Sequence, residues 1–400
     1  MLQLSFVNFT QNSYILIEGT PSADRFFIIQ TGKAQSYHET PVPGLAPALL
    51  GPGDFIGVVP CMSGHTQTES VVALTNVTAI MVRREQYPEL IANNAPVAMK
   101  IVRAFTKQLR VLNDNLTKLT IKKSAVESPE NLFSIAEYYE DMGMLDIAVY
   151  AYYQYLKEVP QGKSYDTASK RFGALRKQCR NAVYFEPSED SVRQYPKDTM
   201  IFAEYQHGQD MFIIQEGSVK IVRIVNGAEV TLVLLKKGDM FGEMALLDNG
   251  LRSASAIAYE NCRLLVVNRA NFNMMVSTQP QYVAKLTTVF SDRLWSMYRQ
   301  IVNTQLKDTR ARMIDMIALQ LENRRISVEK GASYHADFSA LDIMELCGIP
   351  QKDQRLALMQ LQTDQHVKVN NGSLIIPDVP ELIKQATFYR KQNSKRQNEQ

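Results

Sequence analysis

Cysteine is scarce in this chain. There are four in 400 residues, Cys61, Cys179, Cys262 and Cys347, far apart and with no Cys-x-x-Cys pair, which excludes a zinc ribbon and a disulfide framework. The five histidines, His38, His65, His207, His335 and His366, show no metal-ligand spacing, so no metal site is expected. A P-loop, a nucleophile elbow and a paired-carboxylate motif are also missing; no catalytic residue is assigned and an enzyme is not expected. No apolar run approaches the roughly 18 residues needed to span a bilayer. The N-terminal MLQLSFVNFT lacks a basic segment followed by an apolar core. The expectation is a cytoplasmic protein with reduced thiols and no membrane partner. The net charge of +3 is too small to argue for nucleic acid by itself.

What is present is ordinary globular composition, 45% apolar and 21% charged, and an internal repeat. FIIQTG (Phe27 to Gly32) returns as FIIQEG (Phe212 to Gly217), at an offset of 185 residues. In the same register Gly53, Asp54 and Gly57 fall on Gly238, Asp239 and Gly242, and Lys100, Phe105 and Leu109 fall on Lys285, Phe290 and Leu294. No gap is needed from Phe27 to about Leu116, which implies two copies of one domain. Each copy opens with short β-branched and aromatic runs that end at glycine or charged turns, the pattern of strands. Each closes on a helical stripe: Ile101, Phe105, Leu109, Leu112, Leu116 and Leu119 in the first, Leu286, Phe290, Leu294, Met297 and Ile301 in the second. The early turns suit packing on the copy's own barrel; the later turns suit pairing with another helix.

The second copy carries KKGDMFGEMALLDNGLRSASAIA, Lys236 to Ala258. Gly242 lets a ligand approach the backbone. A helix starting at Glu243 would offer free N–H groups and partial positive charge. Arg252 supplies paired donors for phosphate oxygens, with Ser253 and the Ala254 N–H beside it. Glu243 suits a donor such as a sugar hydroxyl. Together these describe a ribose-phosphate site. Phe-Gly-Glu-x-Ala-Leu-Leu-x-x-x-x-Arg-Ser-Ala closely resembles the phosphate-binding cassette of cyclic nucleotide-binding domains, with Leu251 where that family often has proline. The resemblance implies that Glu243 meets the ribose 2′-hydroxyl, Arg252 pairs with the cyclic phosphate, and Gly242, Met244, Ala245, Ser253 and Ala254 line the site. It also implies that the following helix meets the base, through Met297 and Tyr298 with Ser296 and Arg299 nearby. The ligand it points to is cyclic AMP, with cyclic GMP as the competitor. In the first copy Val58 stands for Glu243 and Gln67 for Arg252. Losing the cation makes phosphate burial costly, so this barrel is expected to have lost that ligand; a neutral ligand or a purely structural role stays open.

Between the copies, AEYYEDMGMLDIAVYAYYQYLKEVP resembles one tetratricopeptide repeat, two antiparallel helices that must lean on a barrel or a partner. Its reading is an intrachain spacer or a peptide groove. After the second long helix, Met313, Ile314, Ile317 and Leu321 mark an amphipathic helix. Then Ser339 caps a helix ending at Gly348, Pro350 opens another whose buried face is Leu356, Leu358, Met359 and Leu361, and VKVNNGSLII forms a hairpin. The order resembles the winged helix-turn-helix of catabolite-activator and FNR regulators, although their Arg-Glu-Thr-Val-x-Arg run has no counterpart. That resemblance implies DNA contacts from Gln351, Lys352, Gln354 and Arg355, from Lys368 in the wing, and from the basic tail with Arg390, Lys391, Lys395 and Arg396.

The expected architecture is an α+β multidomain chain: two β-roll (jelly-roll-like) cyclic nucleotide-binding domains, a small helical hairpin linker and a C-terminal winged helix-turn-helix. Its parts are a degenerate first domain with a long helix (1–125), the tetratricopeptide-like segment (126–182), the second domain with a dimerisation helix (183–306), the winged helix (307–385) and a disordered basic tail (386–400). The expected function is a cyclic nucleotide-responsive transcriptional regulator. It would act as a homodimer paired through the long helices, on double-stranded DNA. The alternative is a signalling adaptor or regulatory subunit that uses the same parts for protein contacts.

Overall fold

A computed structural model describes the chain apart from residues 1–4, 22–23, 43–44, 121–127, 180–184, 186–189, 226–227, 244–249, 269–270, 272–273, 275–277, 327–328, 330, 371 and 399–400. It divides into two compact units, Met1–Ser124 together with Gln279–Gln400, and Ala125–Thr278.

The first unit opens with strands β1 (Ser5–Phe9), β2 (Tyr14–Leu16), β3 (Arg25–Thr31), β4 (Ala34–Tyr37), β5 (Ala48–Leu50), β6 (Phe55–Ile56), β7 (Ser70–Ala73) and β8 (Val77–Arg83). They form two antiparallel sheets, ordered β1-β8-β3-β6 and β2-β7-β4-β5. Alternate side chains, among them Phe27, Ile29, Val71, Ala73 and Ala79, meet in one core. Helices α1 (Val58–Ser63), α2 (Tyr87–Asn93) and α3 (Ala95–Thr120) complete this part.

The second unit begins with α4 (Leu132–Asp141), α5 (Leu145–Glu158) and α6 (Tyr165–Leu175). Gly143, at φ 72°, turns α4 into α5. The fully buried Ala136, Ala148 and Ala151 belong to the core these helices share. Among its described residues the segment thus has three α-helices rather than a hairpin. It leans on the second barrel, whose Met200, Ala203, Val222 and Ile257 join the same core. Its many tyrosines need polar partners for their buried hydroxyls. Tyr139 donates to Glu229 at 2.9 Å, Tyr138 accepts from the Glu229 N–H at 3.0 Å, and Tyr150 donates to Gln206 at 3.1 Å.

That second barrel comprises β9 (Val192–Tyr195), β10 (Met200–Phe202), β11 (Met211–Glu216), β12 (Val219–Val225), β13 (Ala228–Leu235), β14 (Met240–Phe241), β15 (Ser255–Ala258) and β16 (Cys262–Val267). The sheet orders, β9-β16-β11-β14 and β10-β15-β12-β13, repeat those of the first barrel strand for strand. The repeated glycine of FIIQ-x-G has the same cause in both. Gly32 and Gly217 have φ of 91° and 80°, and a Cβ on either would collide with the carbonyl of Asn76 or Asn261.

Returning to the first unit, α7 (Pro280–Thr304) and α8 (Thr309–Asn323) lead into β17 (Tyr334–Ser339), α9 (Ala340–Leu346), α10 (Gln351–Gln362), the hairpin β18 (Lys368–Asn370) and β19 (Ser373–Ile376), and α11 (Val379–Asn398). Although α7 follows the second barrel in sequence, it packs on α1, α2 and α3. Tyr87 and Thr287 share a hydrogen bond of 2.9 Å, and the Trp295 indole donates to the Thr66 carbonyl at 3.2 Å while stacking on His65 at 3.9 Å. This corrects two expectations. The domain break falls before α7 rather than at 306, and the two apolar stripes meet each other inside one chain, leaving that seam covered without a second copy.

The last part is built largely as its residues dictate. Met313, Ile314, Ile317 and Leu321 are buried. Ser339 and Asp342 cap α9 reciprocally, at 2.7 and 3.1 Å. Gly348 takes φ 64° at the turn, and β17-β19-β18 form a small sheet. Two expectations fail. Leu356 and Met359 are 63% and 52% exposed, because α10 turns Ala357 and Leu361 inward and these two away. Residues from 386 are helical to Asn398 rather than disordered. Buried Val379, Leu382 and Ala386 hold α11 in place, and Arg390 forms an ion pair with the fully buried Asp315 of α8.

Candidate functional site

The cassette of the second barrel starts from a backbone requirement. Gly242, just after β14, has φ 75°. Glu243 follows it and is buried, at 1% exposure. Arg252 is tied to the neighbouring loop through its main chain, donating to the Gln206 carbonyl at 2.9 Å and accepting from the Tyr205 N–H at 2.8 Å. Its guanidinium is 5% exposed. It donates to the carbonyls of Gly242 and Asp210, both at 2.7 Å, and lies 4.1 Å from the Phe202 ring centroid. Its Nε has no hydrogen-bond partner among the described residues. The Asp210 carboxylate is paired to Arg193 instead, at 3.1 Å. No carboxylate lies within ion-pair distance of Arg252 among the described residues. Burial pushes the Arg252 pKa down to about 10, only partly offset by Asp210. The result is a buried cation held by neutral acceptors, a state that an anion would relieve.

Arg252 borders a cavity of about 400 Å³ whose other lining includes Arg193, Tyr195, His207, Lys157 and Glu158, within the usual range for small-ligand sites. Gly208 lies so close that a Cβ there would collide with the guanidinium. Sequence reading missed Arg193, Lys157, His207 and Gly208, because they come from different elements and share no local spacing.

Of the residues assigned from the sequence, the structure brings Gly242, Glu243, Arg252, Ser253 and Ala254 to one end of the barrel. Ser253 is exposed and Ala254 buried. Met244 and Ala245 lie outside the described residues. Met297 and Tyr298 are placed otherwise than expected: both are on α7, in the unit of the first barrel. There the Tyr298 hydroxyl donates to Glu18 at 2.6 Å and its ring stacks on His38 at 4.9 Å.

In the first barrel, Val58 begins α1 and is buried, and Gln67 is 5% exposed. The smaller cavity here, about 230 Å³, is lined by Gly57, Val58, Thr68, Glu69, His38 and the α7 residues Leu294 and Tyr298, among others.

On α10, Lys352 and Arg355 are exposed along one stripe with Leu356 and Met359. Gln354 is half-buried, Lys368 is exposed on the hairpin, and nothing is described of the Gln351 side chain. Arg390, expected at a phosphate backbone, is instead inside the Asp315 cluster.

Two segments, residues 6–94 and 192–279, match the model of the cyclic nucleotide-binding domain. The chain thus carries tandem cyclic nucleotide-binding domains, and the repeat seen in sequence is that domain twice. Among curated proteins it is similar to the cyclic AMP receptor protein of Thermus thermophilus, 38% identical over 26% of this chain and 48% of the relative. It is similar to the CRP-like cAMP-activated global transcriptional regulator of Mycobacterium tuberculosis, 27% identical over 48% of this chain and 86% of the relative. It is also similar to human cGMP-dependent protein kinase 2, 24% identical over 86% of this chain and 36% of the relative. The relatives thus divide between transcription regulators and kinases. The matched stretch spans about half of the Thermus protein and about a third of the kinase. Among the described residues no helix is long and apolar enough to cross a membrane.

Proposed function

We propose that this chain is a cyclic nucleotide-responsive transcriptional regulator. Cyclic AMP, with cyclic GMP as the competing ligand, binds the second barrel, and its binding controls DNA recognition by the C-terminal helix-turn-helix and wing. The observation that carries this reading is Arg252, a buried guanidinium with no carboxylate within ion-pair distance among the described residues, set in the Gly-Glu…Arg-Ser-Ala cassette. In the ligand-bound protein Arg252 pairs with the cyclic phosphate and Glu243 grips the ribose hydroxyl. The α9–turn–α10 geometry, the β18–β19 hairpin and exposed Lys352, Arg355 and Lys368 support the DNA-binding half.

Calorimetric titration with both nucleotides, on the natural chain and on Arg252→Ala, tests the sensor. A mobility shift on random-sequence duplex at several salt concentrations tests the DNA half. Nonspecific binding is expected to weaken steeply with salt, and Arg355→Ala to reduce the salt slope by about one. Nucleotide binding that survives Arg252→Ala contradicts the sensor.

A second reading has its own observation. Leu356 and Met359 sit exposed on the stripe that would face DNA, and exposed apolar side chains favour a protein partner over phosphates. On that reading the chain is a cyclic nucleotide-dependent adaptor or regulatory subunit, and no salt-dependent duplex binding is observed.

A further inference from the structure

We infer that the cavity of the first barrel is a binding site for a small organic cation, an ammonium or amidinium compound, and not for a cyclic nucleotide. The inference stands apart from the reading of the second barrel and uses different residues.

The cavity lies within one unit, bordered by β-strands of the first barrel, by α3 through Ile101, Phe105 and the exposed Ala104, and by α7 through Leu294 and Tyr298. Where the second barrel places Arg252, this copy has Gln67, so no guanidinium is available for phosphate. Several polar groups in the lining are acceptors. Glu69 carries a carboxylate into it. The His38 ring bonds the Thr68 carbonyl through Nδ1 at 2.8 Å. A carbonyl only accepts, so Nδ1 holds the proton and Nε2 is left as an acceptor. Glu18, a neighbour of Glu69 behind Tyr298, accepts from the Tyr298 hydroxyl at 2.6 Å and from the Glu39 N–H at 2.7 Å. No lysine or arginine lies within ion-pair distance of Glu18 or Glu69 among the described residues.

The cation in the lining, Lys100, is engaged at the rim. It bonds Asp54 at 3.1 Å and the Gly53 carbonyl at 2.6 Å, over the Phe55 ring. Desolvation raises the pKa of the lining carboxyl Glu69, the unfavourable state that a bound cation reverses, and raises Glu18 to about 7. Tyr298, His38, Phe55 and Phe105 add ring surfaces that attract a cation. The volume of about 230 Å³ admits a compound of about one ring.

The cavity has a route to the C-terminal part. Tyr298 is followed by Arg299, which holds Asp315 at 3.1 Å and Glu322 at 2.7 Å, both on α8. A ligand packed against Leu294 and Tyr298 therefore bears on the helix that anchors α8.

Trp295, the single tryptophan of the chain, lies beside Leu294 on α7 and is the reporter. The full chain is titrated with phenethylammonium and with benzamidinium while tryptophan emission is followed; 2-phenylethanol and cyclic AMP serve as controls. Saturable changes are expected with both cations, with the alcohol about tenfold or more weaker. Glu69→Gln is expected to weaken the cations by a similar factor, and Arg252→Met to leave them unchanged. Ala104→Leu, a cavity-filling change on a helix residue that is otherwise exposed, is expected to block them and serves if Glu69→Gln does not fold. The inference is overturned if neither cation saturates at millimolar concentration, if a folded Glu69→Gln or Ala104→Leu protein binds them as the natural chain does, or if cyclic AMP displaces them from the Arg252→Met protein.

Discussion

Replacing Arg252 by methionine is expected to leave the stability of the ligand-free protein nearly unchanged while removing nucleotide binding. Burial lowers the guanidinium pKa from 12.5 to about 10. At about 1.4 kcal/mol per unit, the charged form costs the folded state about 3 kcal/mol. The sign follows from linkage. The folded pKa lies below the unfolded one, so the penalty is present in full at every pH below about 10, including neutrality. Methionine removes the charge with little change in volume. It also gives up the charge-assisted hydrogen bonds to the Gly242 and Asp210 carbonyls, about 1.5 kcal/mol each at the low end. The balance is close to zero, a Tm change of no more than about 4 °C for a unit of about 150 residues.

Nucleotide binding is where the two proteins part. Truncating one partner of a buried charge pair costs about 3–5 kcal/mol, a loss of about two to three orders of magnitude in affinity. The natural chain gains about 2.7 kcal/mol from ligand at a hundred times its Kd, and the variant gains almost nothing. The two proteins should therefore melt close together without cyclic AMP, and the natural chain should melt higher with it. Scanning calorimetry on both proteins, with and without nucleotide, measures this directly. A variant that loses 2 kcal/mol or more without ligand would show Arg252 to be a structural strut, and the reasoning from its burial among neutral acceptors would fail.

Two further perturbations concern the first unit. Burial raises the Glu18 carboxyl from 4.5 to about 7, so its contribution to stability is full below pH 4.5 and is lost as pH rises through about 7. Between pH 5 and 8 the natural chain should lose about 2 kcal/mol relative to Glu18→Gln in urea unfolding; a constant difference would mean that Glu18 does not titrate in this range. Asp315, fully buried, joins Arg299, Arg390 and Asn303. Asp315→Ala leaves two cations facing each other and should cost about 3–5 kcal/mol in chemical denaturation, whereas a surface pair would cost less than about 1 kcal/mol.

Much of the architecture could be read from local chemistry. A register held over some ninety positions implies a duplicated domain, and both copies have the same strand order. The Ser339–Asp342 cap and the Gly348 turn are legible because capping and positive φ are decided by one or two residues. What stayed hidden was choice among equivalent partners. The stripe on α7 is apolar whichever surface covers it, so its spacing cannot say whether the neighbour is α3 or a second chain. Leu356, Leu358, Met359 and Leu361 look like one buried face when read as a cluster, yet Leu361 and Met359 point opposite ways around α10. Arg390 reads as part of a basic tail because its partner Asp315 lies 75 residues upstream. The cavity beside Arg252 draws on β9, α5 and the loop before β11, a meeting that no single stretch encodes.

The covered seam bears directly on oligomeric state. On the proposed reading each chain supplies one helix–turn–helix, so a DNA site with two half-sites requires two chains. In the expected dimer the later turns of α7 would lie between chains, and a charge placed there would give a folded monomer. Here α7 is packed on α3 within the chain, and Phe290 at its middle is fully buried. Truncating a buried phenylalanine already costs about 3–5 kcal/mol, and an aspartate adds an unpaired buried charge. Phe290→Asp should therefore unfold the first unit at a temperature independent of protein concentration. Sedimentation equilibrium together with thermal unfolding across a hundredfold concentration range distinguishes the cases. If the natural chain is a dimer and Phe290→Asp is a folded monomer with native helix content, the seam joins chains, and the intrachain pairing of α3 with α7 is wrong.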